Sequence, residues 1–324
     1  MTMREFAAWL LSYDDIAVIG HISPDGDAVG SSLAVARALL LLGKRAAVVL
    51  ADGVPQKYRF LPGADEVCGV DALPFSPQCA LAVDTSEPRR LGDALFIFEN
   101  SPHKGCLDHH ETNAGFGDAC FIDGARASTG ELALDLIQAL GAPIDVEIAS
   151  NLYIAIAADT GNFNYRNTDA RAFAAAAICV RHGADVGELS RRAFRTRSLA
   201  RTRLLGDALG RIQVTPDGKI AYTRVDSAML ARAGATLEDA SGISNYLNEI
   251  DGALVGVYFE QQADNTKISW RAACDLNVAD VAAQFGGGGH DAAAGANLAL
   301  PMDAAIQAVL EKTADALRAF EARV

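Results

Sequence analysis

Cysteine pairs, an excess of cations and long apolar runs are all missing from this chain of 324 residues. Its six cysteines, Cys68, Cys79, Cys106, Cys120, Cys179 and Cys274, include no Cys-x-x-Cys pair. That excludes the common zinc ribbons and redox motifs, and most of the thiols read as reduced core residues. No uninterrupted apolar run approaches the ~18 residues of a membrane span, although 50% of the residues are hydrophobic. The opening stretch MTMREFAAWLLSYDD has too short an apolar segment and too acidic a flank for an export signal, so it is expected to form an amphipathic helix. Lys and Arg number 28 against 41 Asp and Glu, a net charge of −13. Such a balance argues against a protein that tracks long nucleic acid, because trackers present net positive surface. With no long-period repeat and no low-complexity tail, the expectation is a cytoplasmic enzyme of about two domains, with no membrane partner.

What the chain does have is five short islands of acids and imidazoles. In HISPDGDAVGSS, the residues His21, Asp25 and Asp27 follow the apolar run 16–19 and precede a helical pattern over 29–42, which puts three hard donors at a strand end. In AVDTS, Asp84 closes the buried-strand run 80–83, and in CLDHH, Asp108, His109 and His110 follow another short apolar stretch. Ligands of open α/β sheets gather at the carboxyl ends of the strands, so these groups are expected to converge. Asp159 arrives from a helix: Ile148, Leu152 and Ile156 make one stripe, and Asp159 extends it inward. His290 stands apart, after four glycines. Mixed Asp and His donors without thiolate suit octahedral divalent metals, chiefly manganese, with magnesium or cobalt as alternatives. Asp25, Asp27, Asp84 and Asp159 would neutralise two such ions, leaving His21 and His109 as neutral donors. Two ions roughly 3.5–4 Å apart would activate a water and stabilise the attacking and leaving oxygens of an in-line displacement at phosphorus.

The chain resembles the DHH-family phosphoesterases that carry the DHH-associated C-terminal domain, and within them the bacterial short-oligonucleotide hydrolases, some of which also dephosphorylate 3′-phosphoadenosine 5′-phosphate. The resemblance runs through HISPDGDAVGS, VDTSEPRRLG, LDHHETNAGFGD, ASTGEL, LYIAIAADTGNFNYRNT, KISWRA and FGGGGHDAAAG, so it spans nearly the whole chain. It implies one metal on His21, Asp25 and Asp84, a second on Asp27, Asp84, His109 and Asp159, and Asp84 as the bridge. It also implies that Asp108 orients a neighbour, that His110 contacts phosphate or protonates the leaving oxygen, and that Arg271, His290 and the amides of Gly287, Gly288 and Gly289 grip substrate. Ala272 stands where a serine is common in the family, which touches only a secondary polar contact.

Taken singly, each element has a plainer structural reading. A lone Asp-x-Asp is commonly a helix cap and four glycines a flexible turn; the joint placement of donors at element ends is what favours a site. The glycines follow a helical stretch over 278–285, so their backbone is expected to approach an anion at a helix start. His182 before Gly183 reads as an ordinary helix terminus and His103 as a solvated turn. Ser128-Thr-Gly-Glu131 reads as a capping box, and Ser128 and Thr129 are left out of the expected site. The arginine-rich stretch 191–203 is either a solvated linker helix or a local positive pocket.

Alternating signals at 16–19, 29–42, 46–50, 80–83 and 95–98 predict an α/β domain with a doubly wound, mainly parallel sheet over 1–190. A helical linker is expected over 191–211 and a smaller α/β domain over 212–324, opening with a hairpin around Pro-Asp-Gly and closing with an amphipathic helix from Pro301. The expected function is metal-dependent hydrolysis of short oligoribonucleotides or dinucleotides. Its rivals are 3′-phosphatase action on phosphoadenosine phosphate, hydrolysis of cyclic or linear dinucleotide messengers, and a non-catalytic nucleotide sensor. Long duplexes are not expected as partners; a homodimer is compatible with this reading.

Overall fold

The computed structural model describes residues 1–322, and the chain forms two compact units, Met1–Thr196 and Arg197–Val324. The strands of the first are β1 (Asp15–Ile19), β2 (Arg45–Val49), β3 (Cys79–Val83), β4 (His103–Asp108) and β5 (Ala119–Ile122). Its helices are α1 (Met3–Leu11), α2 (Gly26–Leu41), α3 (Leu95–Asn100), α4 (Thr129–Leu140), α5 (Val146–Asp159), α6 (Ala170–Arg181) and α7 (Val186–Ser190).

The five strands make an all-parallel sheet in the order β2-β1-β3-β4-β5. DIAVI and CALAV are buried along their whole length because both faces of the sheet are covered, which is why they read as continuous apolar runs rather than as alternation. Strand order reverses between β1 and β3, and successive connections diverge there, leaving a crevice beyond the carboxyl ends of the strands. On one face α2, α4 and α5 share a core with α1. A Cβ on Gly30 would strike the Asn151 carbonyl and lie 3.0 Å from Ala155, so α2 and α5 approach closely only because residue 30 has no side chain.

Residues 95–98, expected within the alternation of strands and helices, begin α3. Leu91, Ala94 and Phe98 point into the sheet's second face while Phe96 is 70% exposed, a spacing that a period-2 strand cannot produce.

The second unit comprises α8 (Leu199–Gly210), β6 (Gln213–Val214), β7 (Ile220–Val225), α9 (Ser227–Ala233), β8 (Val255–Gln261), β9 (Thr266–Ala272), α10 (Val278–Ala283), β10 (Gly288–His290), β11 (Ala293–Leu298) and α11 (Met302–Glu321). Its sheet runs β10-β11-β9-β8-β7-β6, antiparallel except for the parallel pair β7 and β8. Trp270 is fully buried and donates to Thr313 Oγ1 at 3.0 Å, tying α11 to the sheet.

Segment 191–211 is divided between the units: Arg191–Arg195 turns at the end of the first, and α8 buries Leu204 and Ala208 among Ala221, Val225 and Met229 of the second. The glycine run does not open a helix. It follows α10 and leads into the edge strand β10; just before that strand, a Cβ on Gly287 would lie 2.6 Å from that of Ala296 on β11. Close strand packing therefore requires a glycine there. No helix among the described residues is long and apolar enough to cross a membrane.

Candidate active site

Each donor of the first unit is delivered by the end of an element. His21 follows β1, Asp84 follows β3, and Asp108, His109 and His110 straddle the end of β4. Asp25 is the N-cap of α2, its Oδ1 accepting from the amides of Asp27 and Ala28 at 2.9 and 3.1 Å, while Asp159 is the last residue of α5. Two groups of donors result. His21, Asp25 and Asp84 offer ligand atoms within 4.8 Å of one another, as do Asp27, His109 and Asp159.

Asp84 lies between the groups, its Oδ2 3.6 Å from His21 Nε2 and its Oδ1 3.6 Å from His109 Nε2. His109 Nε2 is also 3.2 Å from Asp159 Oδ2 and 3.9 Å from Asp27 Oδ2. The other ring nitrogens are tied back: His21 Nδ1 lies 2.7 Å from the Ile22 carbonyl and His109 Nδ1 3.2 Å from that of Arg126, which leaves each Nε2 facing the carboxylates. His110 also falls within 4.8 Å of Asp84 and His109, but its Nδ1 is held at 2.8 Å by Asp108 Oδ1. The second oxygen of Asp108 accepts from Asn113 Nδ2 at 2.7 Å, and Asn113 donates as well to the Thr85 carbonyl at 3.0 Å.

Backbone strain marks the same places. Ser23, Asp84, Asn162 and Phe163 adopt positive φ, at 50°, 56°, 55° and 65°. Each costs on the order of 1–3 kcal/mol and persists only where surrounding contacts impose it. Ser23 lies between His21 and Asp25, Asp84 is itself one of the donors, and Asn162 and Phe163 lie in the turn that follows Asp159 at the end of α5.

Electrostatics points the same way. Burial, then the charges of Asp84 and Asp159, raise Asp27 well above the carboxylate range. Burial likewise leads in lifting Asp159 to about 6. For His109 burial opposes the charge, but the hydrogen bond to Asp159 and the charges of Asp27 and Asp84 carry it up to about 10. Burial would raise Asp84 too, yet hydrogen bonding from His21 and the charge of His109 hold it low. Clustered oxygens thus retain protons that the same groups would shed in water. Surplus negative charge, hard oxygen donors and two imidazoles fit divalent cations, which would take the place of those protons.

Sequence reasoning passed over Thr129 and Asn113. The amides of Thr129 and Gly130 donate to Asp27 at 2.6 and 2.8 Å, and Thr129 Oγ1 donates to Asp84 Oδ1 at 2.9 Å. The N-terminus of α4 therefore holds Asp27 with its unpaired amides and positive dipole end, and Asp84 with the Thr129 hydroxyl. ASTGE was the available signal. Its capping role is present as well: Ser128 accepts from Glu131 N at 3.3 Å, while Glu131 reaches back to Ala127 N at 3.0 Å.

In the second unit, His290 pairs with Ala293 and Ala293 with Arg271, so the two polar residues stand in one row across β10, β11 and β9. His290 is exposed. Arg271 Nη1 donates to the Trp270 carbonyl at 2.9 Å and Nε to Asn245 Oδ1 at 3.4 Å. Gly288 and Gly289 occupy β10 itself. The arginine stretch is dispersed: Arg191 pairs with Glu188 at 2.7 Å, Arg192 stacks over Phe60 at 4.4 Å, and Arg201 donates to the Ser241 carbonyl at 2.6 Å.

Residues 15–156 match the DHH family, N-terminal domain, and residues 217–323 match the DHHA1 domain. A bifunctional oligoribonuclease and PAP phosphatase, NrnA, of Thermus thermophilus is 34% identical, with 93% of this chain and 90% of the relative covered. Among solved structures, an exopolyphosphatase-related protein from Bacteroides fragilis superposes with a TM-score of 0.90 at 25% identity, covering 98% of this chain and 96% of its own. An exonuclease RecJ bound to manganese shares the fold at a TM-score of 0.59 and 17% identity, covering 98% of this chain and 95% of its own.

Proposed function

This chain belongs to the DHH family, and from that membership and the donor geometry we propose that it is a metal-dependent phosphoesterase that hydrolyses short oligoribonucleotides or dinucleotides to mononucleotides. The observation that carries the reading is the place of Asp84 between two donor groups, 3.6 Å from His21 of one and 3.6 Å from His109 of the other, with a further imidazole, His110, pinned beside them. The NrnA relative, covered over most of its length, supports the substrate class.

His21, Asp25 and Asp84 would hold one divalent ion, and Asp27, Asp84, His109 and Asp159 the other, with manganese preferred. When bound, the ions supply electrophilic charge against the phosphate and acidify the attacking water. The rest falls to side chains. Asp108 fixes His110 through Nδ1, so the other nitrogen is free to address substrate. The same hydrogen bond, against opposing burial, raises the His110 pKa, which keeps a proton on the ring for the departing ribose oxygen. Thr129 and Gly130 hold Asp27 and Asp84 in ligating orientation. Arg271, His290 and the amides of Gly288 and Gly289 form the substrate-gripping group of the second unit; the Gly287 amide, expected to join them, instead donates to the Ala282 carbonyl at 2.9 Å. The reading includes a cytoplasmic setting, where six free thiols persist.

A second reading, 3′-phosphatase action on phosphoadenosine phosphate, has the support of the same relative's name. The test is a substrate panel with manganese: linear diadenylate, a five-residue RNA, a cyclic dinucleotide, phosphoadenosine phosphate and pyrophosphate. Diadenylate and the short RNA should be hydrolysed fastest. Dominant turnover of the phosphoadenosine compound would install the second reading, and inactivity on every member would reject both.

A further inference from the structure

Two thiols outside the donor cluster meet on neighbouring strands. Cys106 of β4 and Cys120 of β5 are register partners in the parallel sheet and so project from the same face. Partners on adjacent strands lie about 4.8 Å apart at Cα, within the roughly 4.4–6.8 Å that disulfides span. The two thiols are near enough for each to bear on the other's ionisation. Cys106 is fully buried and Cys120 half-buried, under a glycine-rich loop whose Gly117 amide donates to its sulfur at 3.3 Å.

The pair connects to the DHH motif. Asn113 Nδ2 lies 3.4 Å from Cys106 Sγ, and the same nitrogen donates to Asp108 Oδ2, whose other oxygen holds His110. A line of contacts thus runs from Cys106 through Asn113 and Asp108 to His110. We propose that Cys106 and Cys120 are a site of reversible oxidation, closed to a disulfide by a hydroperoxide, and that closure disturbs Asn113 and so loosens Asp108 and His110.

The chemistry balances. Cys120 thiolate attacks the peroxide, an S–O bond forms as O–O breaks, and the departing oxygen leaves as water or an alcohol after taking a proton. Cys106 sulfur then attacks the resulting sulfenic acid, giving its proton to the hydroxyl, which leaves as water as the S–S bond forms. Two thiols and one hydroperoxide become one disulfide, water and water or an alcohol. Selectivity follows from environment. The Cys106 hydrogen bond leads in pulling the Cys120 thiol down to about 6, with the Gly117 amide helping against burial. Burial instead pushes Cys79 and Cys179 up to about 12, so they stay unreactive. Cys106 is raised first by donating to Cys120, a cause that disappears once Cys120 is oxidised.

The effect on turnover rests on the phosphoesterase reading, whereas the cross-link does not. Manganese-loaded wild-type protein would be treated with hydrogen peroxide, mapped by peptide mass spectrometry and assayed on linear diadenylate before and after dithiothreitol. Loss of two hydrogens in one peptide pair containing Cys106 and Cys120 is expected, with activity falling about 10-fold or more and returning on reduction. Cys120→Ser and Cys120→Ala should keep full activity and lose the peroxide response. Oxidation that bypasses this pair, or a cross-linked protein with undiminished turnover, would overturn the proposal. If the reduced protein hydrolyses no nucleotide, the functional reading fails while the mass spectrum still decides the thiol pair.

Discussion

Asp84 combines three conditions that a carboxylate seldom meets together: it is 2% exposed, sits at positive φ, and faces His21 on one oxygen and His109 on the other. Burial without compensation would favour its protonated form, and a strained backbone would favour another residue; both conditions fit the proposed role of a carboxylate shared by two metal ions. Asp84→Ala should remove both metals from the protein and abolish hydrolysis with the fold intact. Metal content by elemental analysis and circular dichroism test this together; retention of two ions per chain would refute the bridging role. Proton linkage gives a second expectation. His109 and Asp159 hold protons at higher pH than in water, and both must release them to ligate. Manganese affinity should therefore rise as pH rises from 5 to 8, with protons released on binding, and calorimetry in buffers of different ionisation enthalpy would count them. Affinity that is flat across that range would disprove proton competition at the cluster.

At the scale of elements, the site is an arrangement of ends. Three strand ends, two helix N-termini and one helix C-terminus meet at the crevice where sheet order reverses. The separation of Asp27 on α2 from Asp159 on α5 is set by how closely those helices pack, and Gly30 permits that approach. Gly30→Ala should force the helices apart, costing about 1–3 kcal/mol of stability as overpacking does and weakening metal binding with no ligand removed. Thermal unfolding and a manganese titration of one variant would show both effects. An unchanged affinity in a destabilised protein would separate packing from site geometry. The 95–98 segment teaches a related lesson: four apolar residues in a row are ambiguous in sequence, and only the inward facing of Leu91, Ala94 and Phe98 around an exposed Phe96 makes them helical.

Across the whole molecule, the two units divide the proposed work. The acids and imidazoles of the candidate metal site lie in the first, while Arg271 and His290 share a row of the second unit's sheet. Arg271→Ala should accordingly raise KM for diadenylate by roughly 10-fold or more while bound metal stays constant, the signature of a lost binding contact. Loss of metal in that variant would contradict the division, as would unchanged kinetics. A net charge of −13 is compatible with this economy because a dinucleotide needs positive charge only where its few phosphates rest.

Residue order alone was enough to single out the acids and imidazoles that gather at the strand ends, and most of the alternation of the first unit, because buried strands leave continuous apolar runs and those groups follow them directly. It also conveyed the hairpin at Pro-Asp-Gly and the last helix, both local in origin. What it could not convey depends on contacts between residues far apart in the chain. Thr129 looks like an ordinary cap until folding brings its amide to Asp27, 102 positions earlier. The glycine run looks like a helix-opening loop until β11 pairs with it and makes it an edge strand. The arginine stretch looks like one linker until its two ends are claimed by different cores. Periodicity and local chemistry report what a residue prefers, but which partner satisfies a buried charge or amide is decided only when the chain closes upon itself.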